Sequence, residues 1–306
     1  AVPDAIRLVE AQNKSSYRYV TTELTRILTP QLLNTVRASM NRSNSEGANN
    51  YLRDLDPALS FFPGRPLGQI TVTGFFSIGP SRFGPSYSRQ SLYQFSDDLS
   101  WVRGRHSLKF GVDHRFYQLP TSRPQSPYGF YQFNGLTDFL QARPASVELT
   151  LPDSELDRDW RQSMTGAYLQ DDIRLHRRLT LNLGVRYERV SVPREVNGRS
   201  ANFVNPVTDR TTTLGPMFSN PSNRNFAPRM GFAWDPFGSG KTSVRGGFGI
   251  FFDPVWTDFY ANAGNRLAPF YVLGSIRNPV FPRAETLVGN PGFVLGRQDV
   301  LVSNPN

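Results

Sequence analysis

The sequence of 306 residues contains no cysteine and no run of about 18 consecutive apolar residues. The first absence excludes a small scaffold held together by disulfide bonds, and the second excludes a transmembrane helix. A mean hydropathy of −0.42 agrees with the second conclusion. A membrane β-barrel stays allowed, because its strands alternate in polarity and are only mildly hydrophobic on average.

Lysine is scarce as well, since only three of the 34 basic residues are lysine (Lys14, Lys109 and Lys241), and the formal net charge is +9. The basic residues are scattered along the chain, whereas a surface for nucleic acid has them clustered. We therefore expect no nucleic-acid partner. The 25 glycines and 24 prolines are more than average but too few for a low-complexity chain, so they predict a folded protein rich in turns.

Alternation of apolar and polar residues with period two is the clearest pattern that is present. From Leu179 to Glu188, leucine, valine and tyrosine occupy one face, and asparagine, glycine, arginine and glutamate occupy the other. An extended segment precedes it across a short basic turn, and together the two predict a hairpin. The pattern occurs four times, which predicts strands at 20–28 and 32–41, 92–101 and 107–116, 166–175 and 179–188, and 226–234 and 244–250.

The four hairpins recur about every 70 residues, with turns of a few residues inside them and long segments rich in Pro, Asn, Ser and Gly between them. This regular alternation predicts an all-β, antiparallel up-and-down transmembrane β-barrel of about eight strands, with short periplasmic turns and long extracellular loops. We assign the strand-like segment Gln69–Ile78 to an extracellular hairpin, because a spanning strand there would reverse every later turn. Gly135–Arg143 is either a short helix or an irregular apolar segment.

Alternation alone also fits a soluble sandwich with one face in water. Strands of ten or more residues, long loops and aromatic residues near the strand ends favour the membrane. We expect the aromatic residues to form girdles at the membrane interfaces, with candidates Tyr93, Trp101, Trp160, Phe232, Trp234, Phe251 and Trp256. On the opposite face we expect residues that line the lumen and contact a plug, water or a solute, with candidates Lys109, Asp113, Arg186, Glu188, Arg229 and Arg245.

Three segments resemble the barrel of TonB-dependent outer-membrane receptors, in particular the Oar-like branch. They are Trp101–Val112 (WVRGRHSLKFGV), Ala167–Glu188 (AYLQDDIRLHRRLTLNLGVRYE) and Asn225–Asp253 (NFAPRMGFAWDPFGSGKTSVRGGFGIFFD). The second segment is the most specific, because it joins an aromatic-x-Gln-Asp-Asp pattern to Leu-Thr-Leu-Asn-Leu-Gly-x-Arg-Tyr-Glu in one hairpin. The resemblance covers about residues 85–255.

The resemblance implies a barrel of about 22 strands with an internal plug, which takes energy from the TonB complex of the inner membrane. It implies uptake of an unidentified solute by a protein of the bacterial cell outer membrane, with lipid, the plug and TonB as partners. Neither a plug nor an N-terminal domain can be found in residues 1–306, so we expect a fragment of the barrel domain. A complete eight-stranded barrel is the alternative, although its narrow interior is filled by side chains.

The remaining motifs indicate no catalysis, cofactor or metal. Gly238–Thr242 resembles the end of a phosphate-binding loop, but the first glycine of that motif would stand at Asp235, so we expect a hairpin turn. Asp171 and Asp172 could pass for paired carboxylates, but we expect no nucleophile or histidine partner for them. We expect them to end a strand near the periplasmic turn, where Arg177 or Arg178 can pair with them, and the three histidines have no metal-ligand spacing. We expect no enzyme. A passive porin-like barrel and a soluble all-β ligand-binding or carbohydrate-binding module stay open as alternatives.

Overall fold

The computed structural model describes residues 7–218, 222–255 and 257–282, together with the backbone of residues 294–295. Strands dominate this part of the chain. In chain order they are β1 (Val9–Thr29), β2 (Leu32–Tyr51), β3 (Gln69–Val72), β4 (Phe76–Ile78), β5 (Ser86–Arg103), β6 (His106–Ser122), β7 (Phe130–Phe133), β8 (Ser146–Thr150), β9 (Asp157–His176), β10 (Leu179–Val190), β11 (Arg194–Glu195), β12 (Ala201–Asn202), β13 (Thr213–Leu214), β14 (Phe226–Trp234), β15 (Val244–Gly249), β16 (Leu273–Arg277) and β17 (Val294–Leu295). The helices are α1 (Leu136–Leu140) and α2 (Thr257–Gly264), with a 3-10 turn at Pro57–Leu59.

Eight long strands form one antiparallel sheet, which we call the wall, in the order β1-β2-β5-β6-β9-β10-β14-β15, and β11 adds a short pair to β9. Each predicted hairpin is present as two neighbouring strands of the wall. The all-β, up-and-down antiparallel prediction is therefore confirmed. Among the described residues the wall is open, because β1 and β15 each pair with one neighbour only.

Several strands of the wall are longer than the alternation predicts. β1 has 21 residues, β2 has 20 and β9 has 20. The additional residues of β2 are mostly polar, yet they pair with β5 as far as Gly47 opposite Ser86. Backbone hydrogen bonds continue the ladder where the side chains no longer alternate, since the ladder depends on backbone groups alone.

Short turns join the strands at one rim of the wall. Gly104 takes a positive φ of 61° between β5 and β6. Between β14 and β15 the carboxylate of Asp235 accepts hydrogen bonds from the backbone N–H groups of Gly238 and Gly240, both at 2.8 Å. The segment Gly238–Thr242 is thus a hairpin connection, as its sequence predicts, and the side chain of Asp235 organises it.

The long connections at the other rim build a second sheet, which we call the loop sheet, in the order β17-β16-β8-β7-β3-β4. Its strands come from three different connections. Its hydrophobic core consists of Phe61, Phe62, Val72, Tyr131, Phe133, Val147 and Leu149. The prediction that Gln69–Ile78 lies outside the wall is confirmed, because β3 and β4 form a hairpin in this sheet. Helix α1 lies inside Gly135–Arg143, which settles that alternative in favour of a helix.

Helix α2 packs on the wall near the rim of the long connections. Trp160 of β9, Leu119 of β6 and Tyr260 of α2 belong to one buried cluster. Asn265 joins helix to wall, because its Oδ1 accepts from Trp160 Nε1 at 3.0 Å and its Nδ2 donates to Thr121 O at 3.3 Å. A Cβ on Gly264 would lie 2.8 Å from Trp160 Cη2, so this close approach requires glycine. The described helices include none that is long and apolar enough to cross a membrane.

Candidate lumen surface

The pairing register places all six lumen candidates on one face of the wall. Asp113 lies opposite Gly166, which lies opposite Glu188. Lys109 lies opposite Gln170, and the same row continues to Arg229 through Gly184. Successive side chains of a strand point to opposite faces, so Arg186 points to the same face as Glu188, two residues away on β10. Arg245 of β15 lies opposite Ala233, which is four residues from Arg229 on β14 and therefore on the same face. We call this the polar face and the opposite one the apolar face.

Arg186 is the centre of an ion-pair network on the polar face. Its Nη2 lies 2.6 Å from Asp113 Oδ1, and its Nε lies 2.6 Å from Glu188 Oε1. The three side chains are only 16–23% exposed. The guanidinium group therefore bridges β6 and β10 across β9, which separates them.

Glycine makes room for this bridge. A Cβ on Gly166 of β9 would lie 2.9 Å from Asp113 Oδ1, and Arg186 Nη2 would be closer still. Gly111, two residues before Asp113 on β6, makes room in the same way for a second contact. Tyr168 Oη donates to Asp98 Oδ1 at 2.7 Å, and both side chains lie against Gly111. Gly166, Gly111, Tyr168 and Asp98 are not among the residues predicted from the sequence. The signal is the glycine at a polar-face position of a strand whose cross-strand neighbours are long and charged.

A shallow depression of about 480 Å³ lies next to this network. Gly184 and Gly231 form its floor, since neither carries a side chain. Lys109 and Arg229 reach it from either side, and neither makes an ion pair among the described residues. Its other polar-face side chains are Tyr168, Gln170, Asn182 and Arg186. The depression thus offers amide, hydroxyl and cationic groups to water or to a polar ligand.

The apolar face carries four of the seven girdle candidates. On β5, Tyr93 and Trp101 point to the same face as Leu99. On β14, Phe232 lies opposite Leu181, and Trp234 points to the same face. This face is broadly exposed; Tyr93 is 42% and Trp234 is 44% exposed. A soluble sheet would cover so wide an apolar surface with a second layer. Exposed apolar side chains on the same face include Phe95, Val112, Leu169, Leu183, Val185, Met230 and Phe248.

The prediction is wrong for two other candidates. Trp160 is fully buried between the polar face and α2, because its parity points it away from the apolar face. Phe251 follows β15 with polar-face parity, and its ring lies 4.5 Å from the guanidinium carbon of Arg229. Nearness to a strand end selected both residues, but the face they occupy depends on register. Trp256 lies outside the described residues.

The rim half of the polar face is covered by the chain itself. Besides Trp160, α2 approaches Gln162 of β9, whose Oε1 accepts from Tyr260 Oη at 3.4 Å. Burial raises the pKa of Tyr260, and burial also raises the pKa of Tyr271 beyond the helix. Both hydroxyls are therefore neutral hydrogen-bonding groups at physiological pH. This cover of the polar face was not predicted from the sequence.

A few polar groups lie on the apolar face. Asn34 Nδ2 donates to Asp97 Oδ1 at 2.5 Å, and His106 Nδ1 lies 2.6 Å from Asp171 Oδ2. The expectation that Asp171 has no histidine partner is therefore wrong, because the pairing of β6 with β9 brings His106 next to it. Each Asp-Asp pair of the sequence thus sends one carboxylate to each face. No group of three or more His, Asp or Glu side chains is gathered for a metal ion in the part of the chain that the structure describes.

Comparison with known proteins gives the family. A family model described as an outer membrane beta barrel domain matches residues 2–298. The chain therefore belongs to the outer-membrane β-barrel domains, and its place is the bacterial outer membrane. Its apolar face accordingly meets membrane lipid. Neither the curated proteins nor the solved structures contain a match to this chain.

Proposed function

We propose that the chain is the barrel segment of a TonB-dependent receptor of the Oar-like branch, which takes up a solute through a plugged pore with energy from the inner membrane. The observation that carries this proposal is the polar face. In an outer-membrane barrel the face opposite lipid lines the interior. Here that face holds the ion-pair network of Arg186 and two cations, Lys109 and Arg229, that make no ion pair among the described residues.

The resemblance of Ala167–Glu188 to these receptors supports the finer part of the proposal. An interior that holds both paired charges and cations without an ion-pair partner suits a surface that contacts a second folded body. Such a body would be a plug domain carried by the same polypeptide. We propose transport as the role of the segment and assign it no catalytic step.

Peptide mapping of the native polypeptide from purified outer membranes tests this function, followed by capture on the periplasmic domain of TonB. We expect a chain about three times as long as this segment, with a plug domain before the barrel, that is retained by TonB. A chain without a plug that forms a steadily conducting pore in planar bilayers would contradict the receptor and support a passive porin. Recovery of a chain of about 35 kDa from the soluble fraction would contradict both.

A further inference from the structure

A second pocket, of about 360 Å³, opens at the rim of the long connections. It lies between the ends of β2 and β5 on one side and α2 on the other. Ser45, Ser86 and Ser88 have polar-face parity, so the pocket belongs to the same side of the wall as the ion-pair network but lies at its outer end. Its remaining lining residues are Phe83, Tyr87, Arg123, Asn262 and Arg266.

The charges around this pocket do not balance. Arg82 pairs with Glu148 at 3.2 Å. Arg123 pairs with Asp258 at 2.6 Å. Arg266 donates only to neutral oxygens, from Nε to Arg123 O and from Nη1 to Gln125 Oε1, both at 3.0 Å. Among the described residues, one guanidinium group of the three therefore has no carboxylate partner.

The surroundings of Arg266 disfavour its charge. Burial lowers the pKa of Arg266, and the neighbouring positive charges of Arg123 and Arg82 lower it further, against opposing effects of Tyr271 and Glu148. Arginine stays protonated even so. A partly buried cation without a counter-charge is stabilised by any anion that reaches it.

The groups that line the pocket are held in place before a ligand binds. Arg266 follows α2 by two residues, and α2 is fixed to the wall through Gly264 and Asn265. The two hydrogen bonds of Arg266 orient its guanidinium group toward the pocket wall formed by Arg123. A preorganised site loses little side-chain entropy when it binds a ligand.

The other lining groups suit a polyhydroxylated ligand. Three serine hydroxyls can donate and accept hydrogen bonds. The amide of Asn262 accepts from Arg123 Nη1 at 2.8 Å and donates to Asp258 Oδ2 at 3.0 Å, so only its second N–H can donate to a ligand. Phe83, a residue that is 51% exposed, offers a flat apolar surface. The centre of its ring lies 5.9 Å from the guanidinium carbon of Arg266 and 5.0 Å from that of Arg82. A volume of about 360 Å³ accommodates one sugar ring.

We propose that this pocket binds an anionic sugar, with its carboxylate or phosphate on Arg266 and Arg123 and its hydroxyls on Ser86, Ser88 and Asn262. The site stands at the outer end of the polar face, where a solute from outside the cell arrives first. The proposal does not require TonB, so binding and energised uptake are tested separately.

Isothermal titration of the intact outer-membrane protein in detergent tests the proposal, with glucuronate, glucose 6-phosphate, glucose and inorganic phosphate as probes. We expect one of the two acidic sugars to bind at least about 10-fold more tightly than glucose and than inorganic phosphate. The better of the two identifies the acid group. Equal binding of inorganic phosphate would overturn the sugar as ligand, and no binding of either acidic sugar would overturn the site.

Two variants separate the pocket from general charge effects. Arg266→Gln removes the unpaired cation and is expected to weaken binding of the acidic sugar at least about 10-fold. Lys241→Gln removes a positive charge in the short turn at the opposite rim and is expected to leave binding unchanged. Should Arg266→Gln fail to fold, Ser88→Ala keeps all charges and is expected to weaken binding about threefold to tenfold. Unchanged binding in Ser88→Ala and in a folded Arg266→Gln would refute the assignment.

Discussion

Neutralising the Arg186–Asp113 pair gives a quantitative prediction for the polar face. The atoms Nη2 and Oδ1 are 2.6 Å apart, and the side chains are 20% and 16% exposed. Two charges about 4 Å apart attract by about 4 kcal/mol at an effective dielectric of 20. Lost hydration opposes this attraction, so we expect a coupling free energy of about 1–3 kcal/mol.

A double-mutant cycle with Arg186→Gln and Asp113→Asn measures this coupling. The measurement is urea unfolding of the intact protein in detergent, monitored by tryptophan fluorescence. The control is the ion pair Arg199–Glu155 of the long connections, at 2.9 Å with side chains 33% and 47% exposed. We expect only about 0.2–1 kcal/mol for the control because solvent screens it. A coupling below about 0.3 kcal/mol for Arg186–Asp113, or one no larger than the control, would refute the reasoning.

Three further changes test the faces and turns of the wall. Gly166→Ala places a Cβ against Asp113 and Arg186, and we expect a loss of about 1–3 kcal/mol in unfolding free energy. The control Gly231→Ala, whose Cβ has no neighbour closer than 3.4 Å, should cost less. Equal losses would contradict the packing around Gly166. Leu183→Arg on the apolar face should lower the free energy of unfolding in lipid by about 2–4 kcal/mol. The control Gln170→Arg on the polar face should unfold almost like the parent protein. The reverse order would mean that the polar face meets lipid. Hydrogen bonds from Gly240 and Gly238 lower the pKa of Asp235 below its ordinary 3.8, so its stabilisation of the turn is complete above that value and is lost as the pH falls through the folded pKa. The melting temperatures of the parent protein and Asp235→Asn should therefore converge below about pH 4, and a difference that persists at pH 2 would contradict this origin.

Period-two alternation predicted the wall because successive side chains of a spanning strand meet lipid and water in turn. Lys109 and Asp113 could therefore be assigned to one face together with Arg186, and the pairing register places them there. Trp160 was misassigned because nearness to a strand end selected it, whereas its parity places it on the polar face, where α2, about 100 residues later in the chain, covers it. Sequence near Trp160 carries no trace of that contact.

Apart from the hairpin of β3 and β4, the loop sheet could not be predicted from the sequence, for a related reason. β3, β7, β8 and β16 are each only four or five residues long and come from three separate connections. Their pairing depends on tertiary contacts among Val72, Tyr131 and Val147, not on local alternation. The pocket at Arg266 could not be predicted either, since Ser45, Arg123 and Asn262 are far apart in the sequence.

The central claim is that the polar face meets water and the apolar face meets lipid, and spin labels on β6 test it most directly. Single cysteines would replace Leu108, Lys109, Phe110, Val112 and Asp113 in turn, in a segment that has no cysteine of its own. In lipid vesicles we expect labels at 109 and 113 to be relaxed by a water-soluble nickel chelate and labels at 108, 110 and 112 by oxygen, which concentrates in lipid. Uniform access along the strand, or the opposite alternation, would contradict the account.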